Sequence, residues 1–288
     1  MLSAETIAKK VITPRPRDIH KGSLGRVLLI GGHYPYGGAI IMAAIACVNS
    51  GAGLVSVATD KENITALHAH LPEAMAFDMS HQEHLVTAIR QSDVVLIGSG
   101  LGEDTLSKAI FKLVFETIAD HQTFIIDGSA LNLLARNKKI ALKKHKIILT
   151  PHQKEWERLS GLKIDKQTTR NTQVALASFQ NGTILVAKSQ ATKVYTTDRV
   201  CSIGVGGPYQ ATGGMGDTLA GMIAGFCAQF RDNLFETVVA STYLHSYIAD
   251  MLSEDVYVVL PTQISRQIPK VMKRFESLSA KNPSFPLF

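Results

Sequence analysis

Asp217 ends the run Ala-Thr-Gly-Gly-Met-Gly-Asp at residues 211–217, and an apolar, small-residue stretch follows to Phe226. Gly213, Gly214 and Gly216 permit positive φ and close approach of a ligand. Successive main-chain N–H groups in such a turn point into one concavity and bind an anion. A helix beginning near Asp217 adds the partial positive charge of its N-terminus. Leu219, Met222, Ile223, Phe226 and Phe230 then recur on one helical face, and Ala220, Gly221, Ala224 and Gly225 permit close packing. The chemistry this pattern allows is a phosphate held by amides, with a carboxylate taking a proton from a nearby hydroxyl. Aspartate is also a favoured N-cap. Capping alone accounts for Asp217 but for neither the three glycines nor the threonine beside them. No Gly-Lys pair occurs, which excludes a Walker A loop, and "GGHYPYGG" does not supply a dinucleotide fingerprint.

Further polar residues stand at the ends of apolar runs. "TPHQKE" (150–155) holds His152 and Glu155, "AKSQAT" (187–192) holds Lys188 and Thr192, and "DGSALN" (127–132) holds Asp127 and Asn132. Taken singly, a loop histidine or a lysine is a weak signal. His245 lies in a helical stretch and is read as packing.

Elements that could position these residues alternate along the chain. Short apolar runs at 26–32, 54–59, 93–100, 123–128 and 146–150 end in Gly, Ser, Asp or Thr, and helical patterns separate them, as at 39–51, 104–120 and 166–180. This rhythm predicts a mostly parallel sheet covered by helices on both faces, with ligands at the carboxyl ends of the strands. Runs at 183–188 and 192–197 predict two later strands, read as an antiparallel edge, followed by helices at 217–230 and 236–252. No linker or repeat divides the 288 residues, so one α/β domain is expected, with an N-terminal arm at 1–20 and a loose tail at 277–288.

Composition is that of an ordinary globular protein, 45% hydrophobic and 19% charged. Cys47, Cys201 and Cys227 are scattered, so reduced core thiols are expected and not a disulfide framework or zinc cluster. The opening "MLSAETIAKKVITPRPR" lacks the apolar core of a secretory signal, and the longest apolar run, 39–48, is about half a membrane span. A cytoplasmic protein without membrane partners is expected. The net charge of +6 draws on Lys138, Lys139, Lys143, Lys144 and Lys146, and on Arg266, Lys270, Lys273 and Arg274. Without interleaved aromatics or a known module these read as solvated faces and not as a nucleic-acid surface, though the charge favours anionic substrates.

Taken together, the segments resemble the ADP/ATP-dependent NAD(P)H-hydrate dehydratases, which have a ribokinase-like fold. The resemblance runs from "HKGSLGRVLLIGG" (20–32) to "YLHSYIADML" (243–252) and is carried most by "GGAIIMAAIACVNSGAGLVSVAT" (37–59), "LTPHQKEWERLSG" (149–161) and "ATGGMGDTLAGMIAG" (211–225). It implies a three-layer α/β fold and repair of hydrated NADH or NADPH at the expense of ADP or ATP, with Mg2+ bridging the phosphates and a homo-oligomer, up to a tetramer. It implies that Asp217 is the base and contacts substrate, and that Ala39, Gly102 and His152 line the site for the damaged cofactor. Lys188, Ser189, Gln190, Ala191 and Thr192, with Gly213, Gly214, Met215 and Gly216, would bind the nucleotide. Departures from the family pattern are Met215 for threonine, Ser189 for glycine, Gln153 and Lys154 for a proline-glycine pair, Gly128–Ala130, and Ser99 for proline. Two other readings stay open: a small-molecule kinase of the same fold, and a non-catalytic nucleotide-binding protein.

Overall fold

The computed structural model describes residues 2–137 and 146–280. Lys138, Lys139, Lys143 and Lys144 of the basic cluster, and residues 281–288 of the expected tail, lie outside the described residues. The strands are β1 (Arg26–Ile30), β2 (Leu54–Thr59), β3 (Met75–Asp78), β4 (Val94–Ile97), β5 (Thr123–Ile126), β6 (Lys146–Leu149), β7 (Ile184–Ala187), β8 (Lys193–Tyr195) and β9 (Val200–Ser202). They form one nine-stranded sheet in the order β3-β2-β1-β4-β5-β6-β7-β8-β9. Pairing is parallel from β3 through β7 and antiparallel for β7–β8 and β8–β9.

The helices are α1 (Ala4–Val11), α2 (Gly37–Asn49), α3 (Lys61–His70), α4 (Gln82–Gln91), α5 (Thr105–Thr117), α6 (Gly128–Arg136), α7 (Gln153–Ser160), α8 (Thr169–Leu176), α9 (Met215–Gln229), α10 (Leu234–Ser253) and α11 (Pro261–Ala280). Central strands are mostly apolar because each face of the sheet is covered. Alternate residues divide between two cores: Leu29, Val57 and Leu96 pack with α2, α9 and α10, while Leu28, Ile30 and Val95 pack with α4, α5 and α6.

Several boundaries differ from those expected. Within the stretch read as an arm, residues 4–11 form α1, which buries Ala4, Ile7 and Ala8. The last helix runs on to Ala280, four residues into the stretch read as a tail. The helix carrying Asp217 starts at Met215, with Gly214 as N-cap at φ 91°. Asp217 is therefore the third helical residue and not the cap. Arg266, Lys270, Lys273 and Arg274 lie exposed on α11, in keeping with a solvated basic face. The three cysteines are buried and free.

The chain runs outward from β1 to β3, returns to place β4 beside β1, then runs outward again to β9. The strand order reverses between β1 and β4, and crevices at such points take ligands. Here the loops after the two strands meet main chain to main chain: a Cβ on Gly31 would lie 2.1 Å from the Ser99 carbonyl oxygen.

Candidate active site

Loops after β1, β4, β5, β6 and β7 form a chain of contacts that closes on the start of α9. Gly102, at φ 81°, donates its N–H to Ser129 Oγ at 3.1 Å. Two residues before Ser129, Asp127 accepts from Lys188 Nζ at 2.9 Å and from Thr150 Oγ1 at 2.6 Å. Lys188 pairs in a single parallel bridge with His152, its N–H donating to the Pro151 carbonyl at 2.9 Å. The lysine ammonium lies 3.0 Å from where a Cβ on Gly216 would stand. On the other side Ala39, in the first turn of α2, packs on Gly100, whose Cβ would meet it at 3.0 Å. Beneath the turn, a Cβ on Gly214 would lie 2.3 Å from Met42 Sδ.

Asp217 sits half-buried where these loops converge. Burial, then the Asp127 charge, pushes its carboxyl up to about 6, against the downward pull of Ser99 and Lys188. Lys188 is only 20% exposed, and burial pulls its pKa down, but the carboxylates of Asp127, Glu155 and Asp217 more than offset this and the net shift is upward. Glu155 moves up through burial, which outweighs Lys188 and the His152 N–H that it accepts. Among the described residues, Thr212 Oγ1 and Thr218 Oγ1 at the start of α9 are buried side-chain oxygens without a hydrogen-bond partner. Buried polar groups in folded proteins are otherwise nearly always satisfied.

His152 is the N-cap of α7 in a reciprocal box: its Nδ1 accepts from the N–H groups of Lys154 and Glu155, at 3.1 and 3.4 Å. Burial, Lys188 and Arg158 lower its pKa, so the ring is neutral and carries its proton on Nε2. Ser189, Gln190 and Ala191 are exposed in the β7–β8 turn. Thr192 Oγ1 donates to the Ser189 carbonyl at 3.0 Å, and Ser189 Oγ accepts from the Ala191 N–H at 3.1 Å. Lys188, Ser189 and Ala191 line a cavity of about 210 Å³ with His152, Trp156 and Tyr195. This pocket lies to the α7 side of Lys188, whereas the glycine turn lies against its ammonium. Lys188 thus lies between this cavity and the glycine turn.

Sequence reasoning left Ser99, Ser129 and Thr150 without a role. The departures from the family pattern at 99 and 129 fall inside the site: one hydroxyl acts on Asp217, the other holds Gly102. Met215, the third such departure, packs half-buried against the core under α9. His245 is 4% exposed, and its burial pushes the imidazole down to about 4, so it stays neutral as packing predicts.

The geometry has clear relatives. A family model described as NAD(P)H-hydrate dehydratase matches residues 27–270. An ADP-dependent (S)-NAD(P)H-hydrate dehydratase from Streptococcus thermophilus is 61% identical over 94% of this chain and 98% of its own length. A ribokinase-like superfamily protein from Enterococcus faecalis superposes with a TM-score of 0.91 at 46% identity, covering 95% of each chain. An ADP/ATP-dependent NAD(P)H-hydrate dehydratase from Bacillus subtilis, co-crystallised with ATP/Mg2+, superposes at 0.83 with 26% identity, over 94% of this chain and 97% of that one. With the sheet order, the glycine turn and its acid now placed, the chain belongs to the NAD(P)H-hydrate dehydratase family.

Proposed function

We propose that this protein dehydrates the hydrates of NADH and NADPH, coupling the reaction to conversion of ADP to AMP and phosphate. One observation carries the reading: a half-buried carboxyl, pushed up to about 6, stands on the first turn of α9 beside a glycine turn and a buried lysine. A base with that proton affinity is ionised at neutral pH yet still basic enough to take a proton.

The hydrate hydroxyl attacks the terminal phosphorus of ADP, the bond to AMP breaks, and Asp217 accepts the hydroxyl proton. The ring-nitrogen lone pair then expels phosphate, and loss of the neighbouring ring proton restores the dihydropyridine. Amides of Gly213, Gly214, Met215 and Gly216 hold the moving phosphoryl group, and removing one such donor costs about 3 kcal/mol. Lys188 adds a charge from the opposite side, and Lys188 to Thr192 hold the nucleotide. Ala39, Gly102 and His152 face the damaged cofactor. Among the described residues no group of three His, Cys, Asp or Glu side chains could cage a metal. Magnesium would be held by the nucleotide and would supply positive charge to neutralise the phosphates.

The protein acts in the cytoplasm as a homo-oligomer, with a tetramer as the expected form. Exposed Tyr257, Val258 and Leu260, adjacent on the surface segment before α11, support assembly, and sedimentation velocity tests it. Among the described residues no helix is long and apolar enough to cross a membrane.

The decisive assay incubates the protein with hydrated NADH, magnesium and ADP or ATP, and follows recovery of dihydropyridine absorbance. Release of phosphate with recovered NADH supports the reading. A stable phosphorylated product would assign a kinase instead, and nucleotide binding without turnover a non-catalytic protein.

A further inference from the structure

Asp127 is a buried acid, 2% exposed, at the carboxyl end of β5. It occupies the N-cap position of α6, where an aspartate ordinarily accepts a helix N–H, yet its side chain makes no capping bond. The carboxylate turns away from its own helix. Oδ1 accepts both Lys188 Nζ, from 61 residues further along the chain, and Thr150 Oγ1, from the adjacent strand end. The same ammonium lies against Gly216, two residues into α9, and its charge reaches Asp217.

We propose that Asp127 is a positioning residue: it holds the Lys188 ammonium beside the glycine turn and off the Asp217 carboxylate. The lysine stays aimed at the phosphoryl group, and Asp217 stays free to take the proton. This inference rests on the reading of Asp217 as base. Without Asp127 the nearest carboxylate partners of Lys188 are Asp217 and Glu155, the other two acids whose charges act on it. The groups that bear on Asp217 and its lysine are few. Asp127 comes from the end of β5, Lys188 from the end of β7, Ser99 from the loop after β4, Glu155 and neutral His152 from α7, and neutral His245 from α10. Removal of the Asp127 charge takes away an influence that raises the proton affinity of Asp217 and frees one that lowers it. Both act in one direction.

The test is the pH dependence of kcat in the full-length Asp127→Asn variant, assayed with hydrated NADH and Mg-ADP. The acid limb is expected to move to lower pH. The plateau kcat is expected to fall on the order of 10- to 100-fold, because a weaker base and a misaimed lysine serve the transition state less well. KM for the hydrate is expected to stay within about twofold, as Asp127 touches no substrate. Asp127→Glu keeps the charge and is expected to restore the position of the limb. An unmoved limb with kcat near wild type overturns the proposal, and so does a loss confined to KM. If Asp127→Asn does not fold, Thr150→Val, which removes the hydroxyl that fixes the same oxygen, is read in its place. A severalfold fall in kcat with KM kept supports the proposal, and unchanged kcat overturns it. Asp217→Asn separates the two layers. If that variant turns over normally, the base assignment fails. If it is dead while Asp127→Asn behaves as wild type, only the present inference fails.

Discussion

At the scale of the residue, Asp217 ties activity to stability. The carboxyl must be ionised to accept a proton, and it titrates at about 6, so kcat is expected to fall as pH drops through 6. A rate that stays level from pH 8 to about 5 would remove Asp217 from the role. Its folded pKa lies above the ordinary 3.8, so the folding stability it contributes is fully present below about 4 and lost as pH rises through about 6. At neutral pH the native state carries a charge it disfavours. Asp217→Asn is therefore expected to lower kcat by at least about 100-fold while raising stability by about 1–2 kcal/mol, after a discount for partial exposure. Parallel kcat and thermal-denaturation measurements check both signs. His245 runs the other way: its pKa is depressed to about 4, so the stability it contributes is present above 6.5 and lost as pH falls toward 4. Asp217 was legible in the sequence because glycines flank it and a helix follows. The Lys188–Asp127 pair was not, because 61 residues separate partners that only strand order brings together.

At the scale of the element, α9 carries the proposed base, Asp217, and α2 holds α9 in place. A Cβ on Gly221 would stand 2.0 Å from the Ala43 carbonyl oxygen, and one on Gly225 2.7 Å from that of Cys47. Both obstacles are main chain, which cannot rotate aside. Gly221→Ala is expected to destabilise the fold by about 1–3 kcal/mol or more, with kcat reduced as the glycine turn shifts, and urea denaturation measures it. Gly38 offers a control on the same helix pair: nothing lies within 4 Å of its Cβ position, so Gly38→Ala should leave stability within about 1 kcal/mol. The strands β1, β2 and β4 to β6 were readable because burial on both faces leaves them mostly apolar. β3, with Met75 exposed and Asp78 at its end, and the three-residue β9 at the sheet edge gave no such run. Pro269 inside α11 hid that helix, since proline reads as a breaker. The start of α9 fell two residues early because a left-handed glycine, not the aspartate, caps it.

At the scale of the whole molecule, a chain of net charge +6 must receive two anionic substrates at a site that itself holds Asp127, Glu155 and Asp217. The surplus positive charge lies elsewhere, part of it along the outer face of α11. Its contribution is a long-range field that raises encounter rates and is screened by salt. kcat/KM for ADP is expected to fall severalfold between about 0.02 and 0.2 M ionic strength, with kcat nearly constant. A kcat/KM insensitive to salt would confine the attraction to the loops. The layered, mostly parallel sheet was implied by the β-then-α rhythm, whereas the switch point was not, because it depends on strand order. Nor was the place of Lys188 between the cavity and the glycine turn, which depends on side-chain direction at a strand end.

The contacts of Gly221 and Gly225 bear on what this protein can become. A pocket walled by side chains adapts when one of them picks another rotamer or is replaced. Here α9 meets α2 backbone to backbone at Gly221 and Gly225, so drift has nothing to trim. A saturation library at position 221 should return glycine alone among active clones, while positions on the lysine's side of the site, Ser189 and Gln190 foremost, accept many residues. New nucleotide preferences would then arise from the β7–β8 turn, with the phosphoryl cradle left as it is.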